Sequence, residues 1–389
     1  MAYSMVWWIF GSVGGILTYV FLPFGYFSKT AWWGAAVTLI TAVVPAIAVI
    51  LGADLQTTGL MYVGSIAICY VAMYTIVFRW MRTERIFFVR PSYKIMMRNL
   101  SRSQMITVQT ILDLFRQQGV RLVLSPFVGA SGVTEFATTR TIANVALQGL
   151  QTVSNPIQPD LMRYLGGREQ SKMETSFSLV WIIVLFGLMP SALLLQYFVG
   201  GFFELWTQHS VHFSPFLFAT LLATVLLFGA TQPAMSVVIG NNLIGNQLTL
   251  SALSASVTLC LMMALVPNFG LNGAGISLLV AECFASIGYV YIASKQLLSK
   301  QLSWPKEVFV WVLINAVVCI LGVCMIAIFQ EIQHWLLLFF ISASIVLDVR
   351  FWLALPRGTK QFATHFVYLA IRRMRLVAID SNQPISPRE

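Results

Sequence analysis

The stretch RTIANVALQGLQTVSN, residues 140–155, has two readings, and the fold turns on which one holds. Wound as a helix at about 100° per residue, it places Arg140, Asn144, Gln148, Gln151 and Asn155 within an arc of about 80°. The other face carries Ile142, Ala143, Val145, Ala146, Leu150 and Val153. In a soluble protein the polar arc is an ordinary solvated face. Inside a membrane it is a polar seam, and such seams face a water-filled cavity or another helix. The surrounding chain decides between the two. Of its 389 residues, 58% are hydrophobic and 10% are charged, against roughly a quarter charged in an average soluble domain. Apolar runs long enough to cross a bilayer recur from end to end. The sequence therefore predicts an all-α polytopic membrane protein, with the seam inside it.

Eleven spans are expected, at about 5–27, 31–52, 58–80, 104–127, 133–160, 175–199, 213–239, 245–266, 271–294, 307–329 and 334–355. The fourth and fifth are the least apolar. Charge orients them. Arg79, Arg82, Arg85, Arg90, Lys94, Arg98 and Arg102 follow the third span, and Arg163, Arg168 and Lys172 follow the fifth. Lys295, Lys300 and Lys306 follow the ninth, and Arg357, Lys360, Arg372, Arg373 and Arg375 lie in the tail. Lys29 joins them. All fall on one side if each span crosses once, while the opposite loops hold Asp54, Glu204, His209, His212, Glu331 and His334 without Lys or Arg. The positive-inside asymmetry puts the basic side, and with it the C-terminus, in the cytoplasm.

The net charge of +10 is accounted for by this asymmetry, so nucleic acid is not an expected partner. The first span lacks a basic n-region and a small-residue cleavage site, so it reads as retained rather than as a signal peptide. All five cysteines lie in apolar spans and the four histidines are scattered, which excludes a disulfide framework and a zinc constellation. No metal or cofactor is expected. Residues 85–102 and 365–377 mix apolar and basic side chains and read as interfacial helices against anionic lipid. Trp7, Trp8, Trp32 and Trp33 read as interface anchors.

A weak internal repeat is present. At an offset of 216, Leu55 meets Leu271, Gln56 meets Asn272, Gly59 meets Gly275, Leu60 meets Ile276 and Arg79 meets Lys295. Both span pairs have the same sense, as in transporters built from two lobes related by an axis along the membrane normal. The expected division is a partial N-terminal lobe of three spans (1–80), a basic linker (81–103), a six-helix C-terminal lobe (104–300), an appended two-span hairpin (301–356) and a basic tail (357–389). On this arithmetic the first lobe is short of roughly 100 residues, either through loss of an ancestral half-lobe or because the start of the chain is assigned too late.

Three stretches carry a resemblance: residues 127–173, which open FVGASGVTEF; GATQPAMSVVIGNNLIGNQ at 229–247; and LVPNFGLNGAGISLLVAE at 265–282. They resemble the C-terminal lobe of polysaccharide exporters of the MOP superfamily, the O-antigen (Wzx-type) flippases and lipid II flippases. The shared features are Gly129 and Gly132 leading into a long helix, Pro156 and Pro159 near its cytoplasmic end, and Pro267, Gly270, Gly273 and Gly275 before the lobe's last helix. The resemblance covers residues 100–300 well and 1–80 by topology alone. It implies two six-helix lobes around a cavity opening alternately to each side. The implied activity is export of a polyprenyl-diphosphate-linked oligosaccharide across the bacterial inner membrane, alongside polysaccharide polymerase or other assembly proteins.

The candidate site follows from the polar residues inside spans. Three cations depart from the loop pattern: Arg116, Arg121 and Arg140. An Arg in hydrocarbon costs at least about 2.5 kcal/mol, so each requires a compensating environment. Gln109, Asp113, Arg116 and Gln117 form a second stripe, on the fourth span. Arg140 and Arg116 are candidates for the diphosphate, since guanidinium forks match phosphate. Gln109, Asp113, Gln117, Asn144, Gln148, Gln151 and Asn155 are candidates for the polar wall against sugar. Asp113 and Arg116, spaced i, i+3, equally fit a structural ion pair, and Arg121 fits an interfacial anchor. Glu282 is a candidate coupling acid or a hydrogen-bonded structural one. Asp348 is expected near the cytoplasmic boundary. Pro156, Pro159 and Pro233 are candidate hinges. A glycosyltransferase or ligase needs a large catalytic outer loop, and the longest here is about Val199–His212, so a transporter, not an enzyme, is expected. A drug or cation antiporter of the same superfamily and a non-transporting assembly scaffold remain open.

Overall fold

A computed structural model describes residues 21, 24, 26–85, 92–115, 119–155, 157–356, 358–361 and 364. Every regular element among them is helical, and seven helices are long and apolar enough to cross a membrane. The protein is therefore an all-α, multi-pass membrane protein by length and composition. The first expected span, Trp7, Trp8 and the tail segment 365–377 lie outside the described residues, as do Arg90, Arg116, Gln117 and Pro156. The chain divides into two compact units, Met1–Met96 and Met97–Glu389.

The first unit is a helical hairpin, α1 (Phe27–Ile50) and α2 (Leu55–Thr83). Gly52, at φ 80°, makes the turn. Asp54 then caps α2: its carboxylate accepts the Thr57 backbone N–H at 3.1 Å, and hydrogen bonding first to the Thr57 side chain and then to its backbone holds the carboxyl below the usual carboxylate range. Ile66, Cys69, Met73, Val77 and Met81 recur at helical spacing and form the buried stripe of α2. At the far end Tyr26 donates its hydroxyl to Glu84 at 2.9 Å and lays its ring on Trp80. That hydrogen bond to a carboxylate raises the phenol above its ordinary pKa.

The second unit begins in α3 (Tyr93–Leu114), which joins the end of the expected linker to the first half of the expected fourth span. α4 (Val120–Ser154) follows, with a break at Gly129, and α5 (Ile157–Gly167) is short. α6 (Gln170–Ile183) passes through a π-helical turn at Val184–Leu188 into α7 (Met189–Thr207). Pro190 explains that turn: it supplies no N–H to the carbonyl four residues back, and a widened turn absorbs the misfit. α8 (Pro215–Gly240) is the hub, 72% of its apolar window buried, and α4, α9 and α10 pack around it. α9 (Ile244–Ser299) is continued by α10 (Lys306–Ile328) and α11 (Gln333–Ala354).

α9 has 56 residues. A straight helix of that length would reach about 84 Å, far beyond a bilayer. It is instead two helices meeting at Gly270, where φ is 54° and ψ is −134°. A Cβ placed on Gly273 would lie 2.7 Å from the Leu265 carbonyl, so residues eight apart touch and the chain doubles back. Side-chain-bearing residues avoid this backbone region, at a cost of about 1–3 kcal/mol. Gly270→Ala is accordingly expected to lower the melting temperature in detergent, with Asn268→Ala as a neutral neighbour. An unchanged melt would remove Gly270 as the point of reversal.

Residues 301–356 belong to the second unit by their packing. Val312, Ala316, Cys319 and Val323 of α10 lie in the same buried cluster as α8. Asp348 is buried, and Asn315 Nδ2 donates to its carboxylate across α10 and α11 at 2.7 Å. Ser344 and Cys319 complete this polar contact.

Candidate functional site

The second unit contains a cavity of about 400 Å³ walled by α3, α4, α8 and both halves of α9. α4 contributes Arg140, Asn144, Gln148 and Gln151, four of the five residues in the polar arc. Asn155, the fifth, caps the end of α4 and does not line the cavity. On the same helix Ile142 and Leu150 are buried, whereas Val145 is 63% exposed. The seam thus faces a concavity, and the apolar side divides between protein core and the surroundings.

α3 contributes Gln109 and Asp113. Gln109, Leu112 and Asp113 are its half-buried residues, the two polar ones beside the cavity, and its other residues, apolar Met105, Ile106 and Val108 and polar Gln104, Thr107 and Thr110 alike, are exposed. Arg116 and Gln117, of the same expected stripe, lie outside the described residues.

Glu282, 6% exposed, reaches the same cavity from the second half of α9. The described lining therefore holds one guanidinium and two carboxyl groups, with three amide side chains between them on α4. The Arg140 guanidinium also lies 5.7 Å from the centre of the Phe136 ring, which fixes its side chain from below. Arg121 is elsewhere, in the first turn of α4, where its Nε is buried without a hydrogen-bond partner.

Four polar residues of this wall were not singled out in the sequence: Thr224 of α8 and Ser251, Ser254 and Tyr289 of α9. Their signal was present but small. Ser251 and Ser254 are spaced i, i+3, and hydroxyls of this size pass for packing residues in an apolar run.

The hinge candidates fare differently. α4 ends at Ser154 and α5 begins at Ile157, with Pro156 outside the described residues; Pro159 falls in the first turn of α5, where proline is tolerated. Pro233 sits inside α8. It leaves the Gly229 carbonyl without its helical donor, and next to it the Ala230 carbonyl accepts the indole N–H of Trp181 at 2.9 Å. A polar belt surrounds this point: Gln232 bonds Ser154, Gln158 bonds Ser236 and Thr231 bonds Ser286. The belt joins α4, α5 and α9 to the proline-bearing helix. Among the described residues no group of His, Cys, Asp and Glu side chains is arranged to hold a metal ion.

Set against models of known protein families, curated proteins and solved structures, the chain matches none.

Proposed function

We propose that this protein is a lipid-linked oligosaccharide flippase of the MOP-superfamily type, carrying a polyprenyl-diphosphate-linked sugar unit across the bacterial inner membrane by alternating access. The observation that carries the reading is the cavity wall in which Arg140 is followed along one helix face by Asn144, Gln148 and Gln151. A guanidinium answers a diphosphate, and amides answer sugar hydroxyls. Gln109 and Asp113 of α3 at the cavity, with the hydrogen-bonded belt about Pro233, support a polar lumen beside a helix that can flex. On this reading eleven spans cross the membrane, the C-terminus is cytoplasmic, and residues 104–300 form the second lobe. On this reading the turns before Leu55 and Leu271 are equivalent junctions of a two-lobe repeat. Polymerases or other polysaccharide-assembly proteins are the proposed neighbours.

A second reading is export of a cationic drug by the same architecture. One observation favours it: Asp113 and Glu282 outnumber Arg140 in the described lining. Proteoliposomes separate the two. The full chain, reconstituted with a fluorescent polyprenyl-diphosphate disaccharide, should move that lipid between leaflets faster than protein-free vesicles. Movement of ethidium without movement of the lipid would hand the cavity to the cation reading. Movement of neither would favour an assembly scaffold.

A further inference from the structure

The first unit carries a second concavity that the transport reading does not use. It is a groove of about 460 Å³ on the α1–α2 hairpin. Its walls are the rings of Trp32, Trp33 and Trp80 with Ile76 and Val77, and Lys29 stands at one end. We propose that this groove is a binding site for one anionic phospholipid of the surrounding bilayer, with an acyl chain along the indoles and the phosphate at Lys29.

The lining argues for an amphiphile. A water-soluble anion gains nothing from three indoles, and a neutral chain gains nothing from an ammonium. Indole rings favour the depth at which headgroup meets hydrocarbon, and a cation beside a groove between membrane helices suits a lipid phosphate. Lys29 is positioned for this. Its ammonium lies 4.8 Å from the centre of the Tyr26 ring, which orients it by cation–π attraction. The acid on this face, Glu84, accepts the Tyr26 hydroxyl, so its charge is turned toward that bond. Arg79, Arg82 and Arg85 are exposed at the same end of α2 and give it a positive balance over Glu84. Trp33 adds an independent mark: its indole Nε1 is shut off from water and has no hydrogen-bond partner. A buried unpaired donor calls for an acceptor, and a lipid ester or phosphate oxygen supplies one after a small rotation of the ring.

Native mass spectrometry of the full chain in detergent, titrated with dioleoylphosphatidylglycerol or dioleoylphosphatidylcholine, tests this. The wild type is expected to retain one phosphatidylglycerol at lipid ratios that leave no phosphatidylcholine bound. Lys29→Ala is expected to weaken that retention about 5-fold, one basic residue's share of headgroup attraction, and Lys29→Arg to restore it. Lys29 is exposed on the first turn of α1, so its truncation removes no core packing, and the Arg variant guards against a folding artefact. Lys295→Ala, outside the groove, should bind as the wild type does. Four results would overturn the proposal: equal retention by Lys29→Ala, equal loss in Lys295→Ala, displacement of the lipid by millimolar inorganic phosphate, or a change of oligomeric state in place of a change in lipid count. The last would give the face to a second copy of the chain.

Discussion

Arg140→Ala is expected to abolish export of the lipid-linked sugar while the protein still reaches the membrane. Arg140 is the one guanidinium in the described cavity wall. A hydrogen bond to a charged group contributes about 1.5–3 kcal/mol, so losing it should weaken the apparent affinity for a diphosphate lipid about 10- to 150-fold. Arg140→Lys keeps the charge but not the planar fork and should fall between the two. A competing role must be separated from this one. Arg140 shares the cavity with Asp113 and Glu282, and a guanidinium that only offset those carboxyl groups would also be costly to lose. The double variant Arg140→Ala/Glu282→Gln decides. If charge compensation is the whole role, removing the acid restores transport. If Arg140 holds phosphate, transport stays lost although the protein melts closer to wild type. The measurement is leaflet transfer of the fluorescent diphosphate lipid in proteoliposomes, with lipid affinity read by titration. A single variant that transports normally would take the phosphate site away from this cavity.

Much of the fold was legible because the bilayer imposes a simple rule. Apolar runs of sufficient length must be helices, since no other open structure satisfies its backbone in hydrocarbon. The site was legible in part, for the same reason: a polar face in such a chain has to be turned away from lipid, so Arg140, Asn144, Gln148 and Gln151 could be grouped from spacing alone. Asn155 keeps helical dihedrals and its N–H bonds the Gln151 carbonyl, so it continues the arc, but spacing does not say how far along the helix the cavity reaches, and its wall stops at Gln151. Ser251 and Ser254 were missed because a hydroxyl in a membrane helix can bond its own backbone, so its presence does not demand a lumen. The bond between Asn315 and Asp348 was not legible because the two lie 33 residues apart in sequence and only the folded hairpin brings them together. The close packing of α10 onto α8 is likewise a three-dimensional fact. Hydropathy gives the length of α10 and α11 but not which of their faces meets Leu193 or Trp181.

That packing leads to the largest expected loss of stability, at Trp181. Its ring is fully buried among Phe177, Trp304 and Phe309, with centroids 5.7–6.0 Å away. Two of these partners flank the start of α10, so Trp181 joins α6 to the final hairpin. Its N–H also bonds the Ala230 carbonyl beside Pro233. In a membrane, helix association rests on packing and hydrogen bonds, because lipid is as apolar as the core. A void left by a deleted indole therefore forfeits contacts that lipid tails cannot replace inside the bundle. Trp181→Ala is expected to cost about 3–5 kcal/mol, enough to shift the detergent melt strongly and to release residues 301–356 to limited proteolysis. Trp181→Phe keeps most of the ring stack and loses the hydrogen bond to the Ala230 carbonyl, at about 0.5–1.5 kcal/mol. The order Ala below Phe below wild type follows from those two terms. If Phe and Ala melt alike, the hydrogen bond beside Pro233, rather than the aromatic cluster, holds α8 to α6. If the proteolytic pattern of residues 301–356 is unchanged in Trp181→Ala, the final hairpin is anchored elsewhere along α8.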